Sequence, residues 1–277
     1  MPNGSPAALK IAAVVMTANE AENISKCLTS LQSIDKVFVL DSASSDGTIE
    51  IARSFPNVEV IQTPWLGYAK TFNSGIDMAK DFDWIIRIDA DEEMVGDIRT
   101  VVGQQPQAVA GLVVWRPIYF LGEQLRYGPH SRLKMLRIFR GGRGRCEETS
   151  ADEHILVDGE ALFVSEIKMI DRDLKPFSLW LTKHIRWAKK EAANTLKHRN
   201  EESNIDRFNR AKRFAKMKVY YNFPPFVRVF FYFLFRFFFQ LECLGGRAGI
   251  SWCIMQGLWY RLMVDFFLWH PELIERD

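Results

Sequence analysis

Along the first ninety positions, short apolar runs alternate with longer segments of helical spacing. Residues 10–16 (KIAAVVM) form a continuous apolar run, the pattern of a strand buried on both faces. From residue 19 to 31 the apolar positions Ala21, Ile24, Cys27, Leu28 and Leu31 predict a helix. Residues 36–40 predict a second strand, which ends in Asp41 and a turn-rich loop over 42–47. A short helix at 48–55, a third strand at 58–62, a helix at 68–80 and a fourth strand at 83–88 follow. This alternation predicts an α/β fold, a mostly parallel sheet flanked by helices. In such sheets ligands gather beyond the carboxyl ends of the strands. Thr17, Asn19, Asp41, Asp89 and Asp91 fall there.

Residues 111–165 are less periodic and richer in Gly and Arg, with a further strand predicted at 134–140 (KMLRIFR) and a loop at 141–149. From Pro176 the pattern turns helical: a basic stretch to Lys218, a break at Pro224-Pro225, then two aromatic-rich segments. Nine of the 21 Phe residues lie within 223–239. On a helix, Arg228, Tyr232, Arg236 and Gln240 stand four apart and drift about 40° per step, making one narrow polar stripe on an apolar surface. The expected placement is in the plane of a membrane interface, with the stripe at headgroup level. Residues 248–270 are apolar again, broken by Gln256 and by Arg261 and Asp265, which have the spacing of an i,i+4 ion pair. Trp180, Trp187, Trp252, Trp259 and Trp269 suit a water–lipid boundary. A packed helical lid or an oligomer interface is the alternative.

Charge sharpens this division. The net charge is only +2, but thirteen Lys and Arg face four acidic residues between Lys175 and Lys218. Such an excess calls for an anionic partner, here an anionic membrane surface and not nucleic acid. The four cysteines include no C-x-x-C pair and none has metal-ligand spacing with histidine, so free thiols are expected. Residues 1–10 lack a basic region followed by an apolar core, and no cleaved signal peptide is expected. The predicted location is the cytoplasmic face of the inner membrane, peripheral or monotopic.

The chemistry concentrates after the fourth strand, in Asp89-Ala90-Asp91. On an extended backbone residues i and i+2 project to one side. Two carboxylates so placed suit a hard cation, Mg²⁺ or Mn²⁺, that also meets substrate phosphates and offsets charge on a leaving diphosphate. Alone, Asp-x-Asp is equally a solvated turn. Two further polar stretches end the first and second strands: Thr17-Ala18-Asn19-Glu20, with groups able to hydrogen-bond a base or ribose, and Asp41-Ser42-Ala43-Ser44-Ser45-Asp46-Gly47-Thr48.

The order T-A-N-E, D-S-A-S-S-D-G-T, D-A-D-E resembles the family 2 glycosyltransferases, which have the GT-A fold and include enzymes of lipopolysaccharide-core and exopolysaccharide synthesis. The resemblance spans residues 11–159. It implies a nucleotide-sugar site, with UDP the commonest nucleotide. Thr17, Glu20 and Asp41 match positions that hold base and ribose, Asp89 the acid near ribose or metal, and Asp91 the metal-binding acid. Asp46 is read instead as a turn and helix-cap residue. Where the family often carries Arg or Lys before Asn73, this chain has Phe72. Lys70 is the nearest substitute charge, about 200° away from it around the helix.

An inverting transfer needs a carboxylate to take the acceptor hydroxyl's proton. By the same resemblance Asp152 and Glu153 supply it, Glu153 being preferred, with His154 able to orient a carboxylate or close the metal site. Lys183-His184-Ile185-Arg186-Trp187 partly matches the Q-x-x-R-W motif of processive synthases. That match makes Arg186 a phosphate ligand and Trp187 a sugar platform.

The expected organisation is a GT-A catalytic domain over 10–165 and a basic, aromatic, membrane-associating helical extension over 176–277. The expected reaction moves sugar from a UDP-sugar to a lipid-linked saccharide. A nucleotidyltransferase is the first rival, but residues 17–23 lack the Gly-rich basic loop it would need. An inactive membrane- or partner-binding scaffold is the second.

Overall fold

The computed structural model describes residues 9–148, 154–200 and 223–274. The predicted alternation is present: β1 (Ile11–Thr17), α1 (Ile24–Ser30), β2 (Lys36–Asp41), α2 (Thr48–Arg53), β3 (Val58–Gln62), α3 (Tyr68–Met78) and β4 (Trp84–Asp89). There follow β5 (Glu92–Val95), α4 (Ile98–Gly103), β6 (Val109–Trp115), the short β7 (Tyr119–Phe120) and β8 (Glu123–Gln124), β9 (Lys134–Arg140), β10 (Gly144–Cys146), β11 (Ile155–Val157) and β12 (Glu160–Asp171). Eight strands make one sheet in the order β3-β2-β1-β4-β9-β6-β12-β5. β1 runs parallel to β2 and β4, β2 to β3, and β6 to β12. β9 is antiparallel to both its neighbours, and β5 to β12.

The double-sided burial predicted for β1 explains its central place. Ile11, Ala13 and Val15 pack with α1 and Ala52 on one side, and Ala12 and Val14 with Ala69, Phe72 and Ile76 of α3 on the other. α3 approaches closely because Gly75 has no side chain; a Cβ there would lie 2.5 Å from Val14 Cγ1. β5 was not legible as a strand. Its first residue, Glu92, is fully buried, and a charge at a core position breaks the apolar pattern.

Two compact units partition the chain: Met1–Tyr119 with Arg132–Leu174, and Phe120–Ser131 with Lys175–Asp277. The second contains α5 (Phe177–Asn200), α6 (Val227–Leu234) prolonged by a π-helical turn at Phe235–Phe239, α7 (Gly246–Trp252), another π stretch at Cys253–Trp259, and α8 (Tyr260–Trp269). Ala188 and Ala192 of α5 pack on Tyr260, Val264 and Phe267 of α8. Trp252 is buried and its Nε1 donates to His130 Nδ1 at 3.2 Å, while Trp180 stacks on His184. Those two rings serve the unit's own packing, and the exposed rings of the set are Trp187 and Trp269.

The polar stripe of α6 does not face outward as expected. Arg228 and Arg236 are both buried. Arg228 Nε donates to Asp265 Oδ1 at 3.1 Å and Oδ2 at 3.0 Å, and Arg236 Nε to Glu242 Oε2 at 3.0 Å. The predicted Arg261–Asp265 pair is likewise replaced, since Asp265 faces Arg228 and Arg261 bonds Glu191 at 2.8 Å. A carboxylate from a neighbouring element neutralises a buried guanidinium, which an i,i+4 partner on a solvated face does not need to do. The aromatic side is left outside, with Phe231, Phe238 and Phe239 being 61%, 58% and 79% exposed. Among the described residues no helix is long and apolar enough to cross a membrane.

Candidate active site

Strand register brings the first three predicted positions together. Thr17 lies opposite Asp41, Met16 opposite Asp89, and Asp41 opposite Gln62, so Thr17, Asp41 and Asp89 line one carboxyl edge of β1, β2 and β4. The Asp41 carboxylate is buried and accepts from Ser44 N at 3.0 Å and from the Ser44 hydroxyl. Thr17 is also buried, and its Oγ1 has no hydrogen-bond partner among the described residues. A buried hydroxyl left unbonded is unfavourable unless a ligand completes it.

The loops after β1 and β2 are laced together around this edge. Asn19, at φ 56°, donates its N–H to Ser44 Oγ (2.8 Å) and accepts from Ser45 N (2.8 Å) through Oδ1. Glu20 N donates to Thr48 Oγ1 at 2.8 Å, and Glu20 Oε2 accepts from Asn23 Nδ2 at 2.9 Å. Asp46 accepts from Ala21 N at 3.1 Å and Thr48 N at 3.2 Å, a loop-bracing part in accord with its reading as a turn residue. Asn19 braces the loops in the same way.

Asp89 ends β4, and Ala90 and Asp91 form a turn into β5. The extended-backbone argument for Asp91 therefore does not apply. The turn, not the pleat, sets its direction. Asp89 Oδ2 lies 3.0 Å from Arg137 Nη2, which is also 3.0 Å from Glu92 Oε1, and Glu92 Oε2 accepts from Asp89 N at 3.0 Å. Arg116 pairs with Glu92 and, at 2.8 Å, with Asp171. Burial disfavours the ionised Asp89, but the guanidiniums of Arg137, Arg87 and Arg116 outweigh it and hold the carboxyl well below the usual range. Beneath the turn, Cys27 Sγ lies 3.6 Å from Asp89 O; burial, then Glu92, Asp91, Asp89 and Glu20, push its thiol well up, so it stays protonated.

Arg87, Arg116 and Arg137 were missed from sequence. The available signal was an arginine inside an otherwise apolar strand, as in WIIRID and KMLRIFR. Among the described residues no three His, Cys, Asp or Glu side chains cluster as a ready-made metal cage. Asp89 at the end of β4 and Asp91 in the turn after it are carboxylates of the kind Mg²⁺ takes, one or two at a time, completing its shell with phosphate oxygens and water.

The α3 side is organised by Asn73. Its Nδ2 donates to Cys146 O and its Oδ1 accepts from Cys146 N, each at 2.9 Å. The Arg87 guanidinium lies 5.0 Å from the Phe72 ring, with Nη1 3.8 Å from Cys146 Sγ. Phe72 is thus a core residue, and Lys70 is exposed on the far side of α3. Glu147 N donates to His154 O at 2.9 Å and ties the ends of the β10–β11 connection. Asp152 and Glu153 lie outside the described residues; His154 is exposed. Arg186 and Trp187 belong to α5 in the second unit, where both are exposed and Lys183 Nζ stands 5.2 Å over the Trp187 ring.

Residues 12–162, more than half of the chain, match the model of glycosyl transferase family 2. The chain belongs to that family. Its sheet, with antiparallel β9 beside four parallel strands and helices on the flanks, has the GT-A architecture expected from the resemblance. The chain is 41% identical over 91 residues to an uncharacterized glycosyltransferase of Rickettsia bellii, covering 32% of this chain and 30% of that protein. It is 28% identical over 148 residues to the lipopolysaccharide core biosynthesis glycosyltransferase LpsC of Rhizobium meliloti, covering 50% and 54%. The chain thus spans between about a third and a half of the length of these curated relatives. Among solved structures it resembles S. aureus TarS 1–349 at 13% identity and a TM-score of 0.44, covering 95% and 92% of the two chains.

Proposed function

We propose that this family 2 glycosyltransferase inverts the anomeric centre while transferring sugar from a UDP-sugar to a lipid-linked saccharide of lipopolysaccharide or exopolysaccharide synthesis. The observation that carries the donor site is the buried, unbonded Thr17 hydroxyl beside the buried Asp41 carboxylate, one strand from Asp89. Thr17 and Asp41 would take polar groups of the base and ribose, with Glu20 nearby on the bracing loop. Asp89, kept ionised by its arginines, and Asp91 on the turn would hold Mg²⁺ or Mn²⁺. That ion would supply charge neutralisation at the leaving diphosphate. Lys70, exposed on α3, is proposed as the nearest charge for the donor phosphates.

The acceptor hydroxyl's proton goes to Glu153, or to Asp152 one residue earlier, on the connection whose ends Glu147 and His154 tie together. Glu153→Gln should keep UDP-sugar binding while transfer falls by roughly 10²-fold or more. Loss of transfer in Asp152→Asn instead would move the base by one residue, and activity in both variants would place it elsewhere. Arg186 and Trp187, exposed on α5, are proposed for acceptor phosphate and sugar ring.

The location proposed for this reaction is the cytoplasmic face of the membrane, with the second unit held peripherally on anionic lipid. Support comes from α6, whose ionic groups point inward and whose Phe side chains point out.

A further inference from the structure

We propose that Trp65, held edge to face by Tyr68, clamps the nucleobase of the donor by stacking on it, an inference that rests on the donor site proposed above. Trp65 is 51% and Tyr68 37% exposed, although both rings are large and apolar. They stand edge to face with centroids 4.6 Å apart and planes at 89°, so each limits the other's rotation. The loop that carries Trp65 is fastened at both ends. Thr63 N donates to Asp41 O at 2.9 Å, and Leu66 N to Thr71 Oγ1 at 3.3 Å. Gly67, at φ 93°, makes the turn into α3 that sets Tyr68 beside Trp65. A Trp65 ring held this firmly and half exposed is a preorganised surface.

Its position selects the ligand. Gln62 lies opposite Asp41, which lies opposite Thr17, so the loop leaves the sheet two strands from Thr17 on the same carboxyl edge. With strands about 4.8 Å apart, its start is about 10 Å from Thr17, the dimension of a nucleoside. Thr17 and Asp41 offer an unbonded hydroxyl and a carboxylate for the polar edge of the nucleoside. What they lack is a partner for the flat face of the base, and the Trp65 ring on the loop next along the edge is that partner. Stacking of this kind tolerates any base, because every base has a π-face. The aromatic pair therefore adds affinity, and the polar groups of Thr17 and Asp41 carry the choice of base.

The test is calorimetric titration of the full-length protein with UDP and, separately, with inorganic diphosphate, Mn²⁺ being present throughout. Trp65→Ala should weaken UDP about tenfold, within the range for one lost base stack, and Tyr68→Ala, which removes the ring that holds Trp65, should weaken it by less. Trp65→Phe should stay within about threefold of wild type, and diphosphate binding should be the same in all four proteins. If Trp65→Ala does not fold, Trp65→Leu provides the same comparison, apolar but without a π-face. Equal UDP binding by wild type and the non-aromatic variants overturns the clamp while leaving the donor site intact. Equal loss toward UDP and diphosphate also overturns it, since the loop would then act on the phosphates. If the wild type binds UDP no better than diphosphate and prefers no other nucleoside diphosphate, the donor-site reading falls and the clamp with it.

Discussion

The carboxamide of Asn73 exchanges two hydrogen bonds, each 2.9 Å, with the N–H and C=O of Cys146. It behaves as one more residue of a strand partner, fixing the start of the β10–β11 connection to α3. The site is buried, so nothing replaces those bonds when the side chain is cut back. Asn73→Ala should destabilise the protein by about 2–6 kcal/mol, the range for two buried backbone groups left unbonded. Urea unfolding followed by circular dichroism measures this. Asn73→Asp keeps the acceptor but turns a buried carboxylate oxygen toward the Cys146 carbonyl, so it should be no more stable than the alanine variant at pH 7. A full wild-type midpoint for the alanine variant would show that the bonds contribute nothing.

Asp89 gives a signed pH dependence. Its carboxyl is held below the usual range in the folded state, because Arg137, Arg87 and Arg116 outweigh burial. Its contribution is fully present above the unfolded value of about 3.9 and is lost as pH falls below that toward the folded value. Wild type should exceed Asp89→Asn in stability at pH 7, by about 1–3 kcal/mol for one charge-assisted bond. The gap should narrow below about pH 4. Urea midpoints for both proteins at pH 7, 5 and 3 decide the matter, and a gap that widens in acid would contradict the assigned sign.

How much of this was legible beforehand depended on where each residue's partner lies. β1 to β4 are specified by runs of apolar residues that need no knowledge of the rest of the chain, and all four were predicted. The polar ends of those strands were legible for the same reason, since a strand's end is marked by local sequence. Arg137 could not be placed without knowing that β9 pairs with β4, and Glu92 not without Arg116, which is 24 residues away. The backbone at Ala90 and Asp91 was misjudged because Ala90 fits a strand and a turn equally well. In α6 the spacing of Arg228 and Arg236 was read correctly and its meaning inverted. Periodicity finds a stripe, but whether it faces water depends on Asp265 and Glu242, which periodicity does not see.

The Arg228–Asp265 pair, 5% and 1% exposed, makes that inversion testable. Removing one partner strands a buried charge. Arg228→Ala should cost about 3–5 kcal/mol, as for other broken buried pairs. Replacing both partners by apolar residues of similar size, Arg228→Met with Asp265→Leu, should recover most of that loss. Recovery in the double variant distinguishes an internal pair from a stripe that faces solvent or headgroups, for which Arg228→Ala alone would be close to neutral.

The last prediction concerns what covers the other side of α6. Phe231, Phe238 and Phe239 remain mostly exposed while the helix's charges are internal, the reverse of a helix designed for water. Leaving such a face in water forgoes roughly 25 cal/mol per Å² of apolar area that could be buried. The residues before α6 in the chain include Arg207, Arg210, Lys212, Arg213, Lys216 and Lys218, each adding about 1 kcal/mol toward an anionic surface. Together these support the proposed in-plane lipid contact. Substitution is a better probe than truncation here, because deleting the chain from Pro224 would strip α8 from α5. Phe231→Ser, Phe238→Ser and Phe239→Ser combined should leave the thermal unfolding midpoint near that of wild type, since none of the three is a core residue. The triple variant should nevertheless shift from the floated to the aqueous fraction when mixed with vesicles of phosphatidylethanolamine and phosphatidylglycerol. Raising salt should weaken wild-type flotation through the basic residues, and zwitterionic vesicles should bind less. If wild type stays aqueous with anionic vesicles while sedimenting as an oligomer that the triple variant breaks, a second protein surface covers the Phe face and the membrane reading is wrong.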